Sequence, residues 1–313
     1  MILYNLIRQI EKSKWNIGFA KLTPDELLNK NKGLEKVEWL KHSYKDRFFA
    51  DPFLLSVSDS LIEVLVEEFM YETNKGRIAL LQVDARDFSL INRKTILELD
   101  THLSYPAIMC WNNKKFIYPE NGADKRISLY EFNESDMTCR FYRDILSTRN
   151  LNEIDDVVWP ADSTIFEHNQ KYWLFMTPDV ENSKLMIFNS NMPIENYKQQ
   201  TKIGKTNNIE NSRAAGNLFK CNGVIYRPVQ NCREGYGKSI KIQRIIELSE
   251  DNFQEETVME LHPCSNIYNR GLHTINFKKN LCVVDGRGYR YPIAKIISPI
   301  IEHIFKLRQL FKH

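Results

Sequence analysis

The feature that most constrains the fold of this chain is a five-fold internal repeat. Five segments share one layout: a short polar or proline-containing opening, an apolar strand, a turn, and a second strand rich in aromatic or aliphatic residues. When one residue in each opening is taken as a marker, successive markers are 54, 57, 51 and 60 residues apart. These opening residues are Asp51, Tyr105, Asp162, Arg213 and His273. A repeat of this length with about four short strands is typical of a propeller blade.

Local signals within the repeats support this interpretation. Turn residues such as Ser58-Asp59 and Asn222-Gly223 lie where a hairpin needs them. A third strand follows in most units, and strands near residues 15–18 and 37–39 are available to complete the ring. We therefore predict an all-β fold, a five-bladed β-propeller over residues 1–290. The alternative is a β-sandwich, which would show shorter, unequal strand spacings and no matched opening residues.

The C-terminal residues 291–313 depart from the repeat, because apolar side chains recur there at helical spacing beside basic ones. This pattern predicts a short amphipathic helix that makes peripheral contact with an anionic membrane. The alternative is a helix packed against the propeller, and Pro299 would interrupt either version. The basic residues are Lys295, Lys306, Arg308 and Lys312.

Composition and missing motifs exclude several classes of protein. The chain has 43 Lys and Arg against 40 Asp and Glu, which is too balanced for nucleic-acid binding by charge. Its six scattered cysteines show no metal-ligand spacing, so we expect reduced thiols, no metal and a cytoplasmic location. We expect no signal peptide and no membrane span, and because no P-loop or dinucleotide fingerprint occurs in the sequence, we also expect no cofactor. The segment 285–288 (DGRG) predicts a turn in the last blade and at most a weak phosphate site.

The repeat also predicts a functional pocket. The innermost strands of a propeller run beside the central axis, so the opening residues should converge on one end of the channel. Two carboxylates, a guanidinium, a phenol and an imidazole are costly to bury unless they are paired. We predict Asp51, Asp162, Glu67 and Glu120 as catalytic residues. The predicted substrate-binding residues are Arg213, His273, His102, Tyr105, Gln230 and Tyr236.

Several motifs in order resemble a known group of proteins. They include ADPF (50–53), HLSYP (102–106), IYPE (117–120), SRAAG (212–216) and GLHT (271–274). The sequence resembles the furanosidase-like five-bladed propellers, including glycoside hydrolase family 43, over about residues 15–290. It more closely resembles the N-terminal propeller domain of plant glucosamine inositolphosphorylceramide transferases and of bacterial proteins from surface-polysaccharide loci.

This resemblance implies roles for the two aspartates. In the hydrolase relatives the first-blade Asp is the general base, the third-blade Asp tunes the acid, and a fourth-blade Glu is the acid. Asp51 and Asp162 match the first two positions, whereas Arg213 stands where the acid is expected. Arginine does not donate a proton at neutral pH. Inverting hydrolysis, which needs two carboxyl groups, would therefore require Glu67, Glu68 or Glu120 as a substitute acid.

The combination of carboxylates and an arginine instead suggests transfer from a phosphate-linked sugar donor to a glycan or glycolipid acceptor. Asp51 would deprotonate the acceptor hydroxyl, Arg213 and His273 would hold the departing phosphate, and Tyr105 would pack on a sugar ring. We expect a glycosyltransferase of bacterial surface-polysaccharide assembly, such as O-antigen or capsule, at the cytoplasmic face of the membrane. The alternatives are a furanosidase-like glycoside hydrolase and a non-catalytic sugar-binding propeller.

Overall fold

The computed structural model describes residues 13–29, 33–147, 160–178, 183–200 and 208–291. These residues form five four-stranded antiparallel sheets arranged as the blades of a propeller. The predicted all-β, five-bladed fold is therefore confirmed. Within the described residues the only α-helix is α1 (Pro24–Asn29), and a single 3-10 turn covers Gly122–Asp124.

Blades I to IV each use four consecutive strands, and the first strand of each blade is the innermost. Blade I consists of β3 (Arg47–Val57), β4 (Leu61–Met70), β5 (Lys75–Asp84) and β6 (Leu90–Leu97). Blade II consists of β7 (Ser104–Trp111), β8 (Lys114–Glu120), β9 (Arg126–Asn133) and β10 (Thr138–Ser147). Blade III consists of β11 (Ala161–His168), β12 (Lys171–Thr177), β13 (Met186–Ser190) and β14 (Lys198–Gln199). Blade IV consists of β15 (Phe219–Cys221), β16 (Val224–Asn231), β17 (Ser239–Leu248) and β18 (Phe253–Leu261).

Blade V closes the ring with strands from both ends of the sequence. Its inner strands are β19 (Ile275–Lys278) and β20 (Leu281–Tyr289), and its outer strands are β1 (Ser13–Ala20) and β2 (Glu38–Trp39). β1 pairs with β20 along its whole length, from Ser13 opposite Tyr289 to Ala20 opposite Cys282. The prediction that the early strands complete the ring is therefore confirmed.

The hydrophobic core lies in the spaces between neighbouring blades. Each strand alternates its side chains between the two faces of its sheet, so both faces of a blade carry apolar residues. Between blades III and IV, for example, Phe175 and Phe253 meet with ring centroids 5.8 Å apart. Because the apolar residues pack between the blades, the polar residues at the strand openings lie around the central axis.

Two further predictions concern the end of the chain. Residues 285–288 form part of β20 rather than a turn, because β1 provides a partner for that stretch. The amphipathic helix predicted for residues 291–313 falls, from residue 292 onward, outside the described residues. Among the described residues we find no helical segment that could span a lipid bilayer.

Candidate functional site at the propeller axis

Three of the five opening residues share an unusual backbone conformation. Asp51, Tyr105 and Asp162 have φ values of 50°, 47° and 43°. At each of them the register between the first two strands of the blade shifts, as in a β-bulge. Positive φ costs about 1–2 kcal/mol for residues other than glycine, and such strain is concentrated at functional sites. The repeat in sequence is thus also a repeat of strained bulges around the axis.

Carboxylates hold these bulges in place from blade to blade. The backbone N–H of Asp51 donates to Asp285 Oδ2 at 3.1 Å, and that of Tyr105 donates to Asp51 Oδ2 at 3.1 Å. The N–H of Asp162 donates to Glu120 Oε2 at 3.0 Å. Each bulge is therefore fixed by an acidic side chain from the preceding blade, which gives the carboxylates a structural role as well.

One half of the ring is formed by Asp51, His273 and Asp285. His273 Nδ1 lies 2.6 Å from Asp285 Oδ2, and its Nε2 lies 3.6 Å from Asp51 Oδ1. Burial alone would lower the pKa of His273, but the negative charges of Asp285 and Asp51 raise it above its usual value. Burial raises the pKa of Asp51 to about 6, although His273 opposes the change. The imidazole ring stacks on Trp15 at 4.0 Å between centroids.

The other half is formed by Asp162, Arg213 and Glu120. Arg213 Nε donates to Asp162 Oδ2 at 2.5 Å, and its Nη2 lies 3.4 Å from Glu120 Oε2. Burial raises the pKa of Asp162 to about 7 despite Arg213, and the charge of Glu120 and a hydrogen bond with it add to the rise. Arg213 is thus an ion-pair partner of the two carboxyl groups that it was predicted to accompany.

Glu67 joins the ring from β4 with its carboxyl group almost fully buried. Burial and the charges of Asp51 and Glu120 raise its pKa well above the usual value. His102 lies 3.3 Å from Glu67 through Nε2, and its Nδ1 accepts the Gly76 N–H at 2.9 Å. Its side chain is 45% exposed, so His102 stands at the mouth of the site.

Two predicted substrate contacts are corrected by the structure. Tyr105 is fully buried, and its hydroxyl lies 3.0 Å from Thr164 Oγ1 and accepts the Gly216 N–H at 2.9 Å. Gln230 is also fully buried and donates through Nε2 to Asp162 Oδ2 at 2.8 Å. Neither side chain offers a surface to a sugar: Tyr105 lies buried at its bulge, and the Nε2 of Gln230 on β16 is taken up by Asp162 and the Ala214 carbonyl. Both residues position the ring.

Tyr236, also predicted to bind substrate, is exposed beside two charged groups of the ring. It is 40% exposed, its ring meets the edge of His273 at 5.4 Å, and the Arg213 guanidinium lies 5.1 Å from its centroid. An aromatic ring beside a polar site suits the apolar face of a sugar. We define the mouth of the site as the end of the axis at which Tyr236 and His102 are exposed.

Asp285 is a member of the ring that the sequence analysis did not assign. Its Oδ1 accepts the N–H groups of His273 and Thr274, both at 3.0 Å. The repeat contains the signal, since Asp285 lies on the second strand of its blade, as do Glu67 and Glu120 in theirs. Glu68, weighed as a substitute acid, points elsewhere and pairs with three arginines: Arg47, Arg77 and Arg93.

One group in the ring has the donor set of a cation site. Asp51, His273 and Asp285 each offer one ligand atom, and these atoms lie within 4.8 Å of one another. The same atoms are engaged in hydrogen bonds with one another and with backbone N–H groups. The geometry is therefore that of a cluster in which Asp285 accepts hydrogen bonds from His273 and from the Asp51 N–H.

Taken together, the ring is suited to proton transfer. Five carboxyl groups face two cationic groups, and burial raises the pKa values of three of these acids, Asp51, Glu67 and Asp162. A carboxyl group that titrates near pH 6 or 7 accepts or donates a proton at neutral pH. The five are Asp51, Glu67, Glu120, Asp162 and Asp285.

Comparisons by sequence relate most of the chain to one family. Residues 34–271 match the family described as glucosamine inositolphosphorylceramide transferase 1, N-terminal. A glucosamine inositolphosphorylceramide transferase 1 of Oryza sativa subsp. japonica is 26% identical over 222 residues, which are 69% of this chain and 28% of that protein. The protein of the same name from Arabidopsis thaliana is 27% identical over 218 residues, 67% of this chain and 27% of its own. The chain thus spans just over a quarter of the length of these relatives.

Comparisons of structure show the same fold in glycoside hydrolases. The RS223 β-xylosidase superposes with a TM-score of 0.53 at 9% identity, covering 78% of this chain and 93% of that one. The family 117 glycoside hydrolase Zg3597 of Zobellia galactanivorans gives a TM-score of 0.52 at 8% identity, covering 90% and 92%. At these identities the likeness shows the fold and no more.

Proposed function

The chain belongs to the family of the N-terminal domain of glucosamine inositolphosphorylceramide transferase 1, and from this premise we propose that its axial ring binds a sugar and catalyses glycosyl transfer by acid–base chemistry. The observation that carries the proposal is the presence, in one buried ring, of two aspartates whose pKa values are raised to about 6 and about 7. Purely structural ion pairs usually lower the pKa of an acid. Burial that raises it instead is typical of groups that exchange protons.

In this proposal Asp51 is the general base. Its Oδ1 accepts the Thr274 hydroxyl at 3.0 Å and faces His273, so its orientation is fixed before substrate binds. An ionised Asp51 takes the proton of the acceptor hydroxyl as that oxygen attacks the anomeric carbon of the donor sugar. The bond from the anomeric carbon to the leaving group breaks, and the leaving group departs with its electron pair.

The donor that we propose is a phosphate-linked sugar, and the acceptor is a glycan or glycolipid. The relatives are glucosamine inositolphosphorylceramide transferases, which supports a sugar donor and a glycolipid acceptor. A phosphate leaving group needs no proton, which agrees with an arginine at the opening of blade IV. A role in surface-polysaccharide assembly at the cytoplasmic membrane face stays a prediction.

Hydrolysis is a second candidate, and one observation favours it. Glu67 reaches the ring, and burial together with the charges of Asp51 and Glu120 raises the pKa of its carboxyl group well above the usual value. A protonated carboxyl group opposite an ionised Asp51 is the pair that an inverting glycosidase requires. In this alternative Glu67, one of the three substitute acids considered from the sequence, would act as the general acid.

The test compares Asp51→Asn with the unmodified protein on two kinds of substrate. Release of nitrophenol from an aryl furanoside reports hydrolysis, whereas release of phosphate from a sugar 1-phosphate in the presence of a glycan acceptor reports transfer. We expect Asp51→Asn to lower kcat by about a thousandfold on whichever substrate is turned over, because the base is lost and the size is retained.

The matched control is Asp59→Asn, which removes a carboxylate from the exposed turn between β3 and β4. It should retain the turnover of the unmodified protein. Unchanged turnover in Asp51→Asn would contradict the proposal. If sugars bind but neither substrate reacts, the non-catalytic alternative is correct.

A further inference from the structure

A third cationic group, Arg287, lies beyond the acidic ring on β20, the strand that carries Asp285. Arg287 follows Asp285 by two residues on β20, so both side chains project from the same face of the sheet. Two residues of a strand span about 7 Å, which separates Arg287 from the carboxylates along the strand. The Arg287 guanidinium lies 5.6 Å from the ring of Trp15, and Trp15 stacks on His273. Arg287 is therefore adjacent to the axial site without being part of the ring.

Arg287 differs from the other arginines at the site in its partners. Arg213 is paired with carboxylates, and so are the three arginines around Glu68. Within the described residues Arg287 makes no salt bridge, and its Nη2 donates to the Arg270 carbonyl at 3.0 Å. Its Nε is buried and has no hydrogen-bond partner in that part of the chain. A guanidinium left in this state is unusual, because a buried polar group without a partner is costly.

The charges around Arg287 favour an added anion. Burial and then the positive charge of Arg270 lower the pKa of Arg287. Tyr236, which stands at the mouth beside Arg213 and His273, is also close enough to influence Arg287. An anion at this position would neutralise the positive charges of Arg287 and Arg270, and it would avoid the repulsion of the carboxylates in the ring.

We propose that Arg287 binds an oxyanion carried by the sugar substrate, a phosphate or a carboxylate group, while the acidic ring holds the sugar itself. The planar fork of arginine binds both groups through paired hydrogen bonds, and the buried Nε–H supplies one donor. The proposal rests on the proposed function, since it requires a sugar at the axis. It also explains how an anionic sugar binds where Arg213 and His273 are already paired with carboxylates.

The test measures binding of glucose, glucose 1-phosphate and glucuronate by titration calorimetry. The unmodified protein should bind at least one of the two anionic sugars about tenfold or more tightly than glucose. Arg287→Gln should remove this preference and change glucose binding by less than about twofold. The matched control is Arg140→Gln, which removes an exposed arginine of β10 in blade II and should change none of the three affinities.

If Arg287→Gln loses affinity only for glucose 1-phosphate, the oxyanion is a phosphate. If it loses affinity only for glucuronate, the oxyanion is a carboxylate. The proposal is overturned if the unmodified protein shows no preference for either anion, or if Arg287→Gln weakens all three ligands equally. If Arg287→Gln does not fold, Arg287→Lys decides: it should weaken only the anionic sugars, by a few-fold, because charge remains but the fork is lost. Asp51→Asn separates the two proposals, since it should abolish turnover and retain the preference for the anionic sugar.

Discussion

At the scale of single residues, the environment of each carboxyl group sets its chemistry. Asp51 accepts hydrogen bonds from the Tyr105 N–H and the Thr274 hydroxyl, which by themselves would lower its pKa. Burial outweighs them, and the nearby charges of Asp162 and Asp285 add to its effect. The same aspartate on the surface would be ionised at any physiological pH. The sequence predicts the residue type at this position, and the packing determines when it holds a proton.

The raised pKa values predict how stability depends on pH. Asp51 and Asp162 bind a proton more readily in the folded protein than in the unfolded chain, so the unfolding free energy falls as pH rises from about 4 to about 7. The raised pKa of His273 acts in the same direction above pH 6.5. Each group contributes at most about 1.4 kcal/mol per pH unit. We expect a higher Tm at pH 5 than at pH 8 by calorimetry.

Asp162→Asn tests this assignment, because the amide does not titrate. The variant should show a shallower fall of Tm between pH 5 and pH 7 than the unmodified protein, whatever its absolute stability. Asp59→Asn, in the exposed turn, serves as the control and should keep the original slope. A slope in Asp162→Asn as steep as that of the unmodified protein would assign the pH dependence to other groups.

The register of the repeat predicts that these residues lie near the axis, but it does not predict where their side chains point. In the structure His273 Nε2 lies 3.6 Å from Asp51 Oδ1, and Arg213 pairs with Asp162, whereas the sequence predicted that His273 and Arg213 hold a phosphate. The repeat gave no indication that Tyr105 points into the packing between blades, because that direction depends on the bulge at its own backbone. A positive φ at a tyrosine cannot be predicted from a sequence pattern.

At the scale of the structural elements, the opening of blade IV depends on a glycine. Gly216 has a φ of 127°, and a Cβ atom there would lie 2.0 Å from the carbonyl oxygen of Ile275 in blade V. Its N–H donates to the hydroxyl of Tyr105 from blade II. This one residue thus joins three blades, and only glycine allows both the conformation and the close approach.

We therefore expect Gly216→Ala to destabilise the protein by about 3 kcal/mol, since the clash is with backbone that cannot move aside. Urea unfolding followed by circular dichroism measures the change. Gly223→Ala is the matched control: Gly223 also has a positive φ, 80°, but nothing lies within 4 Å of a Cβ there. Gly223→Ala should lower the free energy of unfolding by about 1 kcal/mol, because only the backbone conformation is unfavourable for alanine. Equal losses in both variants would show that contact with blade V is unimportant.

The elements that were predicted correctly are those with local signals. The hairpin at Asn222-Gly223 and the third strands follow from turn residues and alternation within a single blade. The segment 285–288 was wrongly predicted as a turn because its two glycines and charged residues are typical of one. Its partner is β1, more than 260 residues earlier in the chain, and no local pattern shows that pairing.

At the scale of the whole molecule, the site exists only when the ring is closed. Asp285 and His273 belong to blade V, whose outer strands come from the start of the chain, whereas Asp51 opens blade I. The hydrogen bonds from Asp51 and Thr274 across this junction hold the acidic ring together. The sequence predicted that the early strands close the ring. The contacts at the junction between blades V and I depend on that closure.

A disulfide across the junction would test whether closure limits stability. Ala20 and Cys282 lie opposite each other in the pairing of β1 with β20, and both side chains are buried. Opposite residues of an antiparallel pair have Cα atoms about 4.5 or 5.5 Å apart, which a disulfide spans. Ala20→Cys should therefore form a bond with Cys282 on oxidation, and a thiol assay should then find five free cysteines rather than seven.

The crosslink closes a loop that contains nearly the whole propeller, so it should stabilise the folded ring by up to about 5 kcal/mol. We expect the oxidised Ala20→Cys protein to unfold at a higher temperature than the same protein after reduction. Ala20→Ser, which cannot form the bond, is the control and should show no such difference. If the crosslinked and reduced forms unfold at the same temperature, opening between β1 and β20 is not the step at which the propeller, and with it the acidic ring, is lost.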